Sequence, residues 1–187
     1  MSQAFDDLIL QADRARSEDR LTDAHRDLSE AVALSRDADS AANLALALRK
    51  LAQIERDQGH GDLALPLQAE AVTLLREQDD PLKLAHAVRH LGDIHQDVGR
   101  LDQAGPCYDE ALAVYRSHPQ TAPLDLANAI RPLAILKERS GDSAAAMGLW
   151  QEAAELYATV DIAQGVAESQ ARLARLAARP GAADRPS

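Results

Sequence analysis

Three glycines set the register of this chain. Gly59, Gly99 and Gly141 recur at a near-constant interval of about 40 residues, a period typical of stacked repeats. Each separates two long stretches of helical patterning. Glycine at a helix end enters the left-handed conformation without a steric penalty. Other positions keep the same offsets. Arg49-x-Leu51-Ala52 returns as Arg89-x-Leu91-Gly92 and Arg131-x-Leu133-Ala134. Ala64, Ala104 and Ala146 correspond, as do Ala71-Val72, Ala111-Leu112 and Ala153-Ala154. Shifting the register by one period in each direction finds Ala12, Ala24, Leu28 and Ala31-Val32 before it, and Leu173-Ala174 and Gly181 after it. A chain that repeats at this period stacks like units on one another and buries a continuous core between them.

The units are helical. Hydrophobic residues make up 46% of the 187, mostly Ala and Leu, whereas aromatics are 3%, too few for a sheet-based fold. First helices are expected near 3–17, 41–58, 81–98 and 123–140, and second helices near 21–37, 62–78, 101–117 and 143–158. A ninth helix is expected over 161–179. Ser40 and Asp80 are candidate N-caps, and Pro81 suits a first helical position. Small residues let the two helices of a unit approach closely, with Ala52 or Gly92 set against Ala64 or Ala104. Tyr108, Tyr115, Trp150 and Tyr157 recur on second helices and are expected to pack between helices, whereas Gln68, at the Tyr108 position, is expected to face solvent. Pro132 falls inside a helix, frees the carbonyl of Asn128 and is expected to kink the chain there.

The residues Leu91-Gly92, His95, Gly99, Ala104, Tyr108 and Ala111 resemble the tetratricopeptide-repeat pattern. Leu51-Ala52, Gly59, Ala64 and Ala71 repeat it, as do Leu133-Ala134, Gly141, Ala146, Trp150 and Ala153. The family's usual unit is about 34 residues. The longer unit is similar to the kinesin-light-chain variety, in which a proline often follows the second-helix alanine by two residues. Pro66 and Pro106 match that habit, and Arg26 and Gly148 depart from it. The resemblance implies an all-α, right-handed superhelical solenoid of four helix-turn-helix repeats (3–38, 41–80, 81–122 and 123–160) with a capping helix at 161–179. These form a single expected domain, 1–179, followed by a disordered tail at 180–187.

The resemblance also implies that first helices line a concave face that holds a partner's segment. Carried over position by position, that face contains Leu46, Arg49, Gln53, Arg56 and Asp57, then His86, Arg89, Asp93, Gln96 and Asp97, then Asn128, Arg131, Ile135, Glu138 and Arg139. Arg49, Arg89 and Arg131 hold one equivalent position in three successive repeats. The set has five arginines against four carboxylates, in a chain of net charge −10. Arginine's planar fork suits carboxylates, so an acidic segment or a free terminal carboxylate is the expected ligand. The competing reading is that each arginine pairs internally. Arg89 and Asp93, four apart on one helix, would meet. The Lys/Asn/Arg clamp of chaperone co-factors in this family is not reproduced, because Gln53 and Asp93 stand where asparagine is wanted.

Chemistry is not expected. His86, His90, Asp93 and Asp97 share a helix stripe, but an H-x-x-x-H pair without a third ligand is a weak metal signal. No phosphate loop or nucleophile–base arrangement is present, and Cys107, the one cysteine, reads as a small buried residue. An acidic chain with few aromatics is poorly suited to nucleic acid. No apolar run is long enough for a membrane. The sequence therefore predicts a cytoplasmic scaffold or adaptor with a protein or peptide partner and no cofactor or metal. A ligand-sensing regulatory module and a self-associating homodimer are the alternatives.

Overall fold

The computed structural model describes residues 3–178; the expected tail at 180–187, and the register match at Gly181, lie outside them. Among the described residues are nine helices and no strand: α1 (Gln3–Ser17), α2 (Leu21–Asp37), α3 (Ala41–Asp57), α4 (Gly61–Arg76), α5 (Pro81–Asp97), α6 (Leu101–Ser117), α7 (Pro123–Arg139), α8 (Ser143–Thr159) and α9 (Ala163–Ala177). Each expected helix is present, with its ends within two residues of those read from the pattern. Among the described residues no helix is long and apolar enough to cross a membrane.

The turns explain the glycines. Gly59, Gly99 and Gly141 have φ of +81°, +79° and +82°. In each turn the next residue's N–H reaches back five residues: His60 to Glu55 O (2.8 Å), Arg100 to His95 O (2.8 Å) and Asp142 to Lys137 O (3.0 Å). This is the Schellman arrangement, which satisfies carbonyls that a helix end leaves open. The first repeat makes the same turn with Asp19 at φ +59°, one period before Gly59. Aspartate tolerates this conformation better than most residues. Asp39 and Asp161 use it between repeats. Asp80 caps α5 through Lys83 N at 3.0 Å. Ser40 occupies the N-cap of α3, but its side chain makes no cap hydrogen bond, contrary to expectation.

The chain forms two compact units, Met1–Glu110 and Ala111–Ser187, and the division falls inside α6. In the N-terminal unit each of α1 to α4 packs on the next helix in sequence, and one core runs through Phe5, Leu28, Leu48, Leu51 and Ile54. In the C-terminal unit α7 packs on α8 and α8 on α9. Tyr108, Tyr115, Trp150 and Tyr157 are all buried, as inter-helix packing requires. Gln68 corrects the sequence reading. It is buried, and its Nε2 donates to the Ala87 carbonyl at 2.7 Å, so the polar group is paired inside the stack. Pro132 is also buried, and α7 runs through it without a break.

Candidate functional site

Positions 46, 49, 53 and 56 recur at helical spacing, so Leu46, Arg49, Gln53 and Arg56 share one face of α3. In the N-terminal unit this face forms the wall of a cavity of about 220 Å³, together with Asp13 and Arg16 of α1 and His86 and His90 of α5. Leu28, Ile54 and Ile94 are buried side chains in its lining. Four cations (Arg16, Arg49, Lys50 and Arg56) face it against one carboxylate, Asp13. The structure therefore brings together Arg49, Gln53, Arg56 and His86 of the expected groove. It adds Asp13, Arg16, Lys50 and His90, which the sequence reading left out. The register held the signal, since Asp13 and Arg16 lie one period before Gln53 and Arg56.

The cations are tied into networks. Arg16 Nε bonds Asp57 Oδ2 at 2.6 Å, and one repeat later Arg56 bonds Asp97. Lys50 bonds Asp13. Arg49 Nη2 donates to His86 Nδ1 at 2.6 Å, and Arg89 Nη2 donates to His90 Nε2 at 2.6 Å. Arginine has no acceptor, so both imidazoles accept and both are neutral. The tautomers follow: His86 carries its proton on Nε2, and His90 carries its on Nδ1, which faces Asp93 Oδ2 at 3.3 Å. Burial, with His90, Arg49 and Arg89 nearby, pushes His86 down to about 3. Burial also lowers His90. The two rings sit edge to face, with centroids 4.5 Å apart.

Asp93 is the hub behind this wall. Arg89 reaches it at 3.0 Å, as the four-residue spacing predicts, and Tyr108 donates its hydroxyl at 3.1 Å. Burial alone raises the Asp93 carboxyl, but His90, Arg89 and Arg56 together hold it below the ordinary carboxylate range. Arg89 and Asp93 thus stand beside the cavity rather than in its lining. With each imidazole occupied by a guanidinium, the stripe offers a divalent metal two neighbouring positive charges and no open nitrogen pair.

Asn128 and Arg131 belong to the C-terminal unit. Arg131 holds Glu168 of α9 in a two-pronged pair, Nε to Oε2 at 2.7 Å and Nη2 to Oε1 at 3.0 Å. The bond to Arg131 keeps the Glu168 carboxyl low. Tyr157 donates to Asn128 Oδ1 at 2.9 Å. Glu138, counted above as a groove carboxylate, is nearly buried. It accepts from Trp150 Nε1 at 2.6 Å and pairs with Arg172 and Arg175 of α9. Cys107 is half-buried, and burial pushes its thiol up, away from reactivity.

No family model matches the chain, and no curated protein does. Solved structures do. A Podosopora anserina putative kinesin light chain with nearly identical TPR-like repeats aligns over 94% of this chain and 87% of its own, with TM-score 0.75 and 17% identity. A Pyrococcus horikoshii signal-transduction ATPase with a tetratricopeptide-repeat sensor aligns over 94% of this chain and 28% of its own, with TM-score 0.82 and 16% identity. The apo form of RapI aligns over 90% and 61%, with TM-score 0.81 and 11% identity. At such identities the likeness is one of fold, and it agrees with the repeat register, the turns and the helix order. By fold, this chain is a TPR-like all-α repeat protein.

Proposed function

We propose that the protein is a cytoplasmic interaction scaffold, without chemistry of its own, that holds an acidic segment of a protein partner. The observation that carries this reading is the set of cations along the cavity of the N-terminal unit, in a chain that is acidic as a whole: Arg16, Lys50 and Arg56 hold carboxylates that an acidic segment would displace, and Arg49 bonds a neutral imidazole. Arg49, Gln53, Arg56 and His86 are the first contacts, with an apolar floor between them. Arg89 with Asp93 in the N-terminal unit and, separately, Arg131 with Glu168 in the C-terminal unit, on the helix that carries Asn128, are guanidinium–carboxylate pairs that an acidic segment at either unit would share or displace. Solved structures of the same fold include a kinesin-light-chain relative and a sensor module, and scaffolding is the role we carry over from them.

The test is titration of acidic and basic peptides at low and high salt. Acidic peptides should bind more weakly as salt rises, because exposed charges are screened. An Arg49→Ala, Arg56→Ala double variant should weaken acidic-peptide binding by about tenfold or more, since each lost charge-assisted bond removes roughly 1.5–3 kcal/mol. The Arg89→Ala, Arg131→Ala double variant addresses the rest of the row; unchanged affinity together with unchanged salt dependence would remove those two arginines from the site. A dimer by light scattering that binds no peptide would favour self-association instead.

A further inference from the structure

The cavity of the N-terminal unit has two chemistries. Part of the lining is apolar: Leu46 is half-buried there, next to Leu28, Ile54 and Ile94, which are buried. One turn along the same face of α3 the lining is polar, with the Arg49 guanidinium bonded to His86 Nδ1. That bond leaves His86 Nε2–H as a donor on a residue that lines the cavity. Two N–H groups on neighbouring helices, one from a cation and one from a neutral ring, suit a two-oxygen anion. An amine is disfavoured by the surrounding cations. A phosphate would leave the apolar wall unused. Size narrows the ligand further. An apolar cavity of about 150 Å³ holds benzene. The 220 Å³ here therefore suits a molecule of roughly eight or nine non-hydrogen atoms.

We propose that this cavity binds a small free aliphatic carboxylic acid, with its carboxylate on Arg49 and His86 Nε2–H and its hydrocarbon body over Leu46, whose apolar surface continues into the buried Leu28, Ile54 and Ile94. The ligand is a metabolite-sized acid rather than a partner segment; it uses Arg49 and His86, which the scaffold reading also uses, so an acid and an acidic segment would compete for this cavity, and binding of each is measured separately.

The experiment titrates the full chain with 4-methylpentanoate, its amide 4-methylpentanamide, and a heptapeptide ending in leucine. Calorimetry and backbone amide shifts are the readouts. The acid should bind saturably at one site and shift amides of α3 and α5. The amide should bind about tenfold more weakly, because it lacks the charge-assisted bond. Arg49→Gln should lower affinity for the acid by a similar factor, with little change for the amide. Leu46→Trp should fill the cavity and abolish binding; should that variant lose its helical circular dichroism, Gln53→Trp at the rim does the same without touching the buried wall. Three results would overturn the proposal: no saturable binding of the acid by folded wild type at about 10 mM, well above the dissociation constant of an ordinary ligand of this size; equal binding of acid and amide; or binding of the peptide with the free acid silent. Loss of acidic-peptide binding with the acid still bound would count against the scaffold reading alone.

Discussion

His86 shows how one side chain ties pH to stability. Its imidazole is held neutral by burial and by Arg49, down to about 3 from an ordinary 6.5. The unfolded chain therefore takes up a proton between those two values that the folded chain refuses. The stability contributed by the neutral ring is complete above pH about 6.5 and is lost progressively as pH falls toward 3. One such site gives a slope of at most about 1.4 kcal/mol per pH unit. His90, lowered by burial, acts in the same direction. Urea unfolding at pH 7 and pH 5 should show the loss, and His86→Gln should flatten it; an unchanged slope would mean the ring is not held neutral by the fold. Gly92 makes a different point. A Cβ there would lie 2.7 Å from Tyr108 Cε1 and 3.1 Å from Cys107 Cβ. Gly92→Ala should cost about 1–3 kcal/mol by overpacking, read as a lower thermal midpoint, although alanine stands at the equivalent positions 52 and 134. The repeat comparison marks Gly92 as small. Only the Tyr108 ring shows why it has to be smaller than its equivalents.

At the scale of elements, α9 is held by charge as well as by packing. Its Arg172 and Arg175 converge on Glu138, Arg172 also lies over the Trp150 ring at 5.5 Å, and Glu168 returns a pair to Arg131. Gly165 admits the Tyr157 ring, which would meet a Cβ at 2.5 Å. Glu138→Ala strips the partner from a buried indole N–H and two guanidinium groups. It should destabilise the C-terminal unit by roughly 1–3 kcal/mol, the cost of leaving the buried indole N–H unpaired, since water reaches Arg172 and Arg175. Hydrogen exchange should rise across α9 and stay unchanged in α1 to α4. The sequence located α9 from its register alone. It did not show Glu138's partners, because the neighbouring repeat offers no arginine at the positions of Arg172 and Arg175.

Across the molecule, ion pairs recur with the repeat. Arg36–Glu70 and Arg76–Glu110 in the N-terminal unit are the same contact one repeat apart, and Arg116–Glu152 is its counterpart in the C-terminal unit. Arg16–Asp57 and Arg56–Asp97 repeat in the same way on the first helices. Most of these side chains are substantially exposed, so the pairs mainly align neighbouring repeats. Replacing Arg36, Arg76 and Arg116 together with alanine should cost no more than about 1 kcal/mol per pair, a shift in denaturation midpoint that high salt should shrink. A larger, salt-insensitive loss would show that these side chains act by packing.

The residues carry two kinds of information. Helix number, helix ends, left-handed turns and the burial of the aromatics were legible in the sequence, because each depends on neighbours within one or two turns and recurs in register. The partners of the arginines were not, apart from Arg89 and Asp93, which are four apart on one helix. Arg49 finds His86, Arg131 finds Glu168 and Gln68 finds the Ala87 carbonyl across separations of 37, 37 and 19 residues. Such contacts depend on the height and rotation at which one helix meets the next. Periodicity fixes which face a residue lies on, and only the packed helices decide what stands opposite it.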